Sequence, residues 1–346
     1  MLALHRKIGG MVVKISKTFI NDDRENLLEV KGLRIWYPIR KFLSIVGYVK
    51  AVDGVSFSVK KGEIFGVVGE SGCGKTTLGK GILRLLKPTS GHIYFEGKDV
   101  ARIKGKKLKW YRRVTGIVQQ DPYGAMPPFM PVKTILEEPL KIHGVSKEER
   151  KERVIKALEE VKLTPPEDFL NKYPHMLSGG QLQRVAIARA FILKPKLVVA
   201  DEPVSMLDAS VRVETLMLFK ELQKKHKVSV IYITHDFSTS KYFSDRISVM
   251  YAGHIVELGP ARKVMSDSKH PYTSHLIKVI PDPDPKNRFV FKETLPGEPP
   301  SLANPPPGCR LSPRCPYVMN ICKEKEPPMI RVSQEQYVKC WLYARK

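Results

Sequence analysis

Gly69-Glu70-Ser71-Gly72-Cys73-Gly74-Lys75-Thr76 fits the pattern G-x-x-x-x-G-K-[ST], a glycine-rich turn that ends in a lysine and a hydroxyl. Glycines let backbone N–H groups wrap around a phosphate, and the helix that follows turns its positive end toward the same anion. Lys75 supplies a fixed positive charge for the β- and γ-phosphates of a nucleotide, and the Thr76 hydroxyl is a Mg²⁺ ligand. Gly69, Ser71, Gly72, Gly74, Lys75, Thr76 and Thr77 are therefore the expected phosphate-binding residues. Cys73 sits within the turn as a small, tolerated side chain. Asp201 closes the apolar run Leu197–Ala200, which places a carboxylate at a strand's C-terminal edge, where it can hold Mg²⁺ through water. Glu202 follows and can orient a nucleophilic water as general base.

These groups need a scaffold, and the chain between Leu27 and Ala261 supplies one. Short apolar runs (residues 64–68, 197–200 and 228–234) alternate with helical patterns, which predicts an α/β fold around a parallel sheet. The phosphate turn follows the first of these strands directly and opens a helical run from Thr77 to Leu86. Ser146 with Glu149 three residues on predicts a helix start, and Pro165-Pro166 must close that helix. Gln181 to Leu193 reads as another helix with Leu182, Val185, Ala186 and Ala190 on one face, ended by Lys194-Pro195. Residues 1–26 read as an extension, with Met11 an alternative start. Residues 281–328 are proline-rich, so the chain past 261 reads as a separate, irregular C-terminal region.

Composition narrows the class. Of 346 residues, 42% are hydrophobic and 27% charged, a balance that builds a full core and excludes a disordered chain. No apolar stretch reaches the roughly 18 to 20 residues that span a bilayer. The basic N-terminus lacks a continuous apolar core, and five cysteines suit a reducing compartment. Lys plus Arg outnumber Asp plus Glu 59 to 35, a formal +24 that favours polyanions such as nucleotides or an anionic membrane face.

Leu177-Ser178-Gly179-Gly180-Gln181 resembles the signature sequence of ATP-binding cassette (ABC) ATPases. Gln120 in VQQDP resembles their Q-loop, Ser205–Asp208 their D-loop, and His235 their switch histidine, all in the family's order. The resemblance implies an ABC-type nucleotide-binding domain over 27–261, a parallel sheet core with a helical subdomain near 122–186. It also implies ATP as substrate, Glu202 as general base and His235 against the γ-phosphate, with Gln120 sensing water and Mg²⁺. Adenine would stack on Tyr37, or less well on Tyr48. Ser178, Gly179, Gly180 and Gln181 open a helix whose N-terminal end is a second anion site. In the family that end closes over ATP held by a partner, with Asp208 in the adjoining D-loop.

The C-terminal sequence refines the resemblance. His270-Pro271-Tyr272-Thr273 and GEPPSLANPPPGCRLSPRCPYVMNIC look like the tail of ATPase subunits of oligopeptide and dipeptide importers, and YPIRKF, DPYGA and DEPVS look like the second such subunit. That implies a peripheral protein at the cytoplasmic membrane face, paired with a second, homologous ATPase. Two transmembrane permease subunits and an extracellular substrate-binding protein complete the expected assembly. Residues 121–140 would receive the permease. Met206, and the run 127–131, depart from the family pattern without removing a catalytic group. Cys309, Cys315, Cys322 and Cys340, gathered in a poorly cored region, suggest a metal in place of a core. Their wide gaps suit zinc poorly. The resemblance implies a [4Fe–4S] cluster, with zinc as runner-up and free or disulfide-linked thiols as the plain alternative.

Nucleic-acid work is the competing class, prompted by the charge and by KGKKLKWYRR at 104–113. Chromosome-maintenance ATPases of this family insert a long coiled coil between phosphate loop and signature. The stretch from Thr77 to Ser178 holds prolines and no sustained heptads. One cassette per chain also argues against the translation factors, so no nucleic-acid partner is expected. The cargo itself (peptide, with sugars or nickel as alternatives) is set by other subunits.

Overall fold

The computed structural model describes residues 25–42, 44–280 and 295–344. All but the last two residues of the expected extension 1–26, including both candidate starts, lie outside the described residues. Two sheets form the frame. An antiparallel sheet runs in the order β2-β1-β4-β5, built from Asn26–Lys41 (β1), Ser44–Lys60 (β2), Ser90–Phe95 (β4) and Lys98–Asp99 (β5). Its long hairpin was not legible as strands, because polar and apolar positions lose their alternation at the register shifts along β1.

The larger sheet carries the chemistry. Its parallel part is Thr115–Val118 (β6), Leu197–Asp201 (β7), Ser229–Thr234 (β8), Ile64–Val68 (β3) and Arg246–Tyr251 (β9), in that spatial order. All five residues of β3 and all six of β8 are buried, as strands covered on both faces must be, hence their unbroken apolar runs. His254–Pro260 (β10) then turns antiparallel to β9, so the sheet is mixed rather than purely parallel. The C-terminal region extends it further. Tyr337–Val338 (β12) pairs with β10 through Glu257 and Leu258, and Ile330–Arg331 (β11) adds an edge.

Helices cover the faces. Lys75–Ile82 (α1) buries Leu78 and Ile82 between the two sheets, and Gly105–Arg113 (α2) anchors by Tyr111 while its lysines face solvent. The helical subdomain comprises Pro122–Ala125 (α3), Val132–Ile142 (α4), Lys147–Glu160 (α5), Glu167–Leu170 (α6) and Gly179–Phe191 (α7). Ser146 caps α5 by accepting from the Glu149 N–H at 3.3 Å, but the helix stops at Glu160, ahead of the prolines that were to close it. Helix α7 begins two residues before the expected Gln181, because Ser178 and Gln181 cap each other reciprocally. Leu182, Val185 and Ile187 are fully buried in the core beneath α4 and α5. Burying each such side chain is worth about 1.5–3 kcal/mol, which fixes the subdomain.

Ala209–His226 (α8) and Phe237–Phe243 (α9) follow β7 and β8 respectively. Ala261–Ser266 (α10) and Pro271–Val279 (α11) lead into the C-terminal region, which adds Asn320–Glu324 (α12). That region shares a buried cluster with β9, β10 and α11, through Leu295 and Leu311 against Tyr251, Val256 and Tyr272. Among the described residues, no helix is long and apolar enough to cross a membrane.

Candidate functional site

The phosphate loop runs from the C-terminal end of β3 into α1, as its sequence requires. Steric fit explains two of its glycines. A Cβ on Gly69 would lie 2.2 Å from the Met250 carbonyl oxygen, and one on Gly74 only 2.0 Å from that of Ala51. Gly74 also sits at φ +103°, where an L side chain is strained. Lys75, 5% exposed, donates to the carbonyls of Gly69 and Glu70 at 2.8 Å each, so its ammonium is held within the loop. The N–H groups of Ser71, Gly72 and Gly74 make no hydrogen bond among the described residues, leaving the donors a phosphate needs. Cys73 is buried, which pushes its thiol up against the pull of Lys75; it is a packing residue and not an activated thiol.

Strand ends bring the remaining groups together. The Thr76 hydroxyl donates to Asp201 Oδ1 at 3.1 Å, although 125 residues separate them in the chain. Burial raises the Asp201 carboxyl, and a cation beside it would reverse that penalty. A hydroxyl and a carboxylate are hard oxygen donors of the kind Mg²⁺ takes, so these two fit that ion. Glu202, next along, has φ +46°, an uncommon backbone state for a non-glycine residue. The turn is fixed by its N–H donating to the Ile233 carbonyl at 2.9 Å. Gln120 Nε2 donates to Glu202 Oε2 at 3.0 Å, and His235 Nδ1 lies 3.0 Å from Glu202 Oε1. Two residues placed far apart in sequence, Gln120 and His235, therefore meet on the Glu202 carboxylate. The His235 ring is about half exposed, whereas Glu202 is 12% exposed.

Tyr37 and Tyr48 are separated by the geometry. The Tyr37 hydroxyl lies 3.4 Å from Thr77 Oγ1 at the start of α1, whereas Tyr48 packs against Trp36 with centroids 5.9 Å apart. Tyr48 pairs with Pro38, the strand neighbour of Tyr37, so the two tyrosines lie on opposite faces of the sheet, with Tyr37 on the phosphate-loop side. Ser178, Gly179, Gly180 and Gln181 behave differently. Their polar contacts, among the described residues, are with one another and not with the phosphate loop. They occupy the exposed N-terminal end of α7, and a Cβ on Gly180 would meet Val211 of α8 at 2.9 Å. Asp208, at the N-cap of α8, is exposed beside them, as is Met206. Phe129 and Tyr123, in the run after Gln120, are also exposed.

The expected cysteine site is not assembled. Cys309, Cys315, Cys322 and Cys340 are free thiols, and burial pushes Cys309 up to about 11 and Cys340 up to about 12, each further raised by its neighbours. They share one neighbourhood, and Cys309 N–H donates to the Cys322 carbonyl at 2.7 Å. Among the described residues, however, no three His, Cys, Asp or Glu side chains are placed to hold a metal ion. The thiols as arranged do not fit a four-ligand cluster, and nothing below is routed through one.

Sequence reasoning passed over Tyr251, Arg310 and Arg314, which lie behind the loop. The one signal was a pair of arginines inside the Cys309–Cys315 interval.

Comparison with known proteins places the chain in a family. Residues 52–205 match the ABC transporter family and residues 256–322 match the oligopeptide/dipeptide transporter C-terminal region. The chain is 43% identical over 328 residues to the oligopeptide transport ATP-binding protein AppF of Bacillus subtilis, covering 93% of this chain and 99% of that one. It is 41% identical over 315 residues to a putative peptide import ATP-binding protein of Brucella ovis, covering 91% and 97%. Among solved structures, cbiO1 from Clostridium perfringens, part of an ABC transporter complex, has a TM-score of 0.61 at 29% identity, covering 70% of this chain and 91% of that one. The ATP-binding cassette MJ0796, solved as a dimer bound to ADP and Pi, has a TM-score of 0.61 at 30% identity, covering 68% and 99%.

Proposed function

The chain belongs to the ABC transporter ATPases, within the group that carries the oligopeptide/dipeptide transporter C-terminal region, and on that premise we propose that it hydrolyses ATP to energise peptide uptake. The observation that carries the reading is Glu202, held between Gln120 and His235 one residue beyond the Thr76–Asp201 pair. In this reading Gly69, Ser71, Gly72, Gly74, Lys75, Thr76 and Thr77 bind the phosphates, and Tyr37 stacks on adenine. Thr76 and Asp201, with Gln120, would hold Mg²⁺, which would supply positive charge beside the γ-phosphate. Glu202 takes the proton of the attacking water as general base. His235 contacts the γ-phosphate and keeps Glu202 oriented.

The signature end completes a site in another cassette. Gly179 and Gly180 present N–H groups and, with the Ser178 hydroxyl, a positive helix end, and these suit a γ-phosphate bound by a second, homologous ATPase, while the Ser178 N–H is held by Gln181 Oε1. Two transmembrane permease subunits above, received by the exposed apolar residues Tyr123 and Phe129, would place the chain at the cytoplasmic membrane face. An external substrate-binding protein would deliver the peptide. The [4Fe–4S] reading of Cys309, Cys315, Cys322 and Cys340 rests on the family resemblance alone. Iron and sulfide analysis with an anaerobic visible spectrum tests it, and a colourless, zinc-loaded protein removes it.

The deciding experiment is reconstitution of the assembled transporter in lipid vesicles with its binding protein. Labelled peptide should accumulate only with ATP, and Lys75→Ala should abolish uptake. ATP-dependent accumulation of a sugar or nickel with no peptide uptake would replace the cargo, and uptake by the Lys75→Ala complex would overturn the engine.

A further inference from the structure

Arg310 and Arg314 are 6% and 7% exposed, a rare burial for side chains that stay charged. Nothing in the hydrolysis chemistry above uses them. The Arg314 guanidinium lies over the Tyr251 ring, 6.0 Å from its centroid, and its Nε donates to the Pro296 carbonyl at 3.2 Å. Its Nη1 donates to the Tyr251 hydroxyl at 3.4 Å and reaches Glu70 Oε2 at 3.5 Å. Glu70 is the second residue of the phosphate loop. Its backbone N–H is held separately, donating to the hydroxyl of fully buried Tyr272 at 3.1 Å.

The other shoulder of the loop is gripped as well. Arg310 donates to the Ala252 carbonyl and to Asp53. Gly253, the next residue in that turn, donates its N–H to the Cys73 carbonyl at 2.9 Å. The two ends of the segment Glu70–Cys73 are thus pinned from the C-terminal side. Between them stand Ser71 and Gly72, whose N–H groups make no hydrogen bond among the described residues.

We propose that the C-terminal region positions the phosphate loop for nucleotide, through Tyr272 and Arg314 on Glu70 and through Arg310 on the turn that holds Cys73. These are positioning residues; none touches a phosphate. The loop's amides must converge on one anion, and a loop pinned at both shoulders loses less freedom when it binds. Arg310 and Arg314 occupy the interval framed by Cys309 and Cys315, so the thiol region and the nucleotide site share one short segment.

The proposal rests on the reading of Gly69–Thr76 as the nucleotide site, and the test separates the two. A fluorescent ATP analogue is titrated into the full chain carrying Tyr272→Phe, Arg314→Gln, Glu70→Gln, or the last two together. Loss of one such hydrogen bond should weaken binding about 3- to 10-fold. Arg314→Gln should have no further effect once Glu70→Gln is present. In the assembled ATPase, Tyr272→Phe should raise KM for ATP with kcat unchanged, since uniform binding is what is lost. A merely structural role would lower the active fraction and leave KM alone. Unchanged ATP affinity in Tyr272→Phe and Arg314→Gln, or an equal effect of Arg314→Gln in both Glu70 backgrounds, overturns the clamp. A wild-type chain that fails to bind the analogue overturns the nucleotide site instead.

Discussion

Replacing Glu202 with glutamine keeps the shape of the side chain and removes the only function its charge serves in the proposed chemistry. The carboxylate accepts from Gln120 at 3.0 Å and lies 3.0 Å from His235 Nδ1, and it is mostly shielded from solvent. The amide retains one acceptor, so one of the two contacts survives and the other faces an NH₂ group. A hydrogen bond to a charged acceptor contributes about 1.5–3 kcal/mol and a neutral one about 0.5–1.5 kcal/mol, so the fold should lose only about 1–3 kcal/mol. Turnover should respond on a different scale. Losing a positioned general base costs 10²- to 10⁴-fold in rate, or about 2.7–5.4 kcal/mol of barrier. Phosphate release by the assembled pair should therefore fall by at least about a hundredfold. Titration with a fluorescent nucleotide should show ATP bound about as tightly as before, because neither the phosphate loop nor Tyr37 touches the altered group. Wild-type hydrolysis by the Glu202→Gln pair would refute the assignment, and so would loss of ATP binding in proportion to loss of turnover.

Gly74→Ala should abolish ATP binding, since its Cβ would fall 2.0 Å from the Ala51 carbonyl at a positive φ that itself costs about 1–2 kcal/mol; isothermal titration checks this. Ser178→Ala removes the cap on α7 and should destabilise the chain by about 0.5–2 kcal/mol in thermal unfolding. It should leave ATP binding by the single chain intact while slowing hydrolysis by the pair. An equal loss in the single chain would place the signature in its own site. Burial holds His270 down at about 3, so the folded state stays neutral where the unfolded chain begins to take a proton. Its contribution is present above about pH 6.5 and is lost at up to about 1.4 kcal/mol per pH unit as pH falls toward 3. His270→Asn, which can still accept the Tyr272 N–H at the start of α11, should flatten the pH dependence of unfolding across pH 6.5 to 4.5.

Sequence alone determined what is local and chemically constrained. The phosphate loop, its strand and helix, and the carboxylates at the end of β7 follow from spacing, because this loop's backbone, lysine and hydroxyl reach one phosphate only when they are close together in the chain. The order of Gln120, Ser178, Asp208 and His235 was likewise readable. It could not say which groups touch. That Gln120 and His235 converge on Glu202, and that Tyr37 and not Tyr48 faces α1, depends on strand order and on the pairing register of β1 with β2. The proline-rich C-terminal region gave no periodic pattern, because its strands are two residues long and its order comes from packing against β10 and α11. Only the tertiary structure shows that it reaches the phosphate loop, through buried arginines more than two hundred residues away in the chain. The cysteines mark the opposite limit: their number and position were plain in the sequence, but whether they form a ligand shell is a matter of angstroms that spacing does not encode.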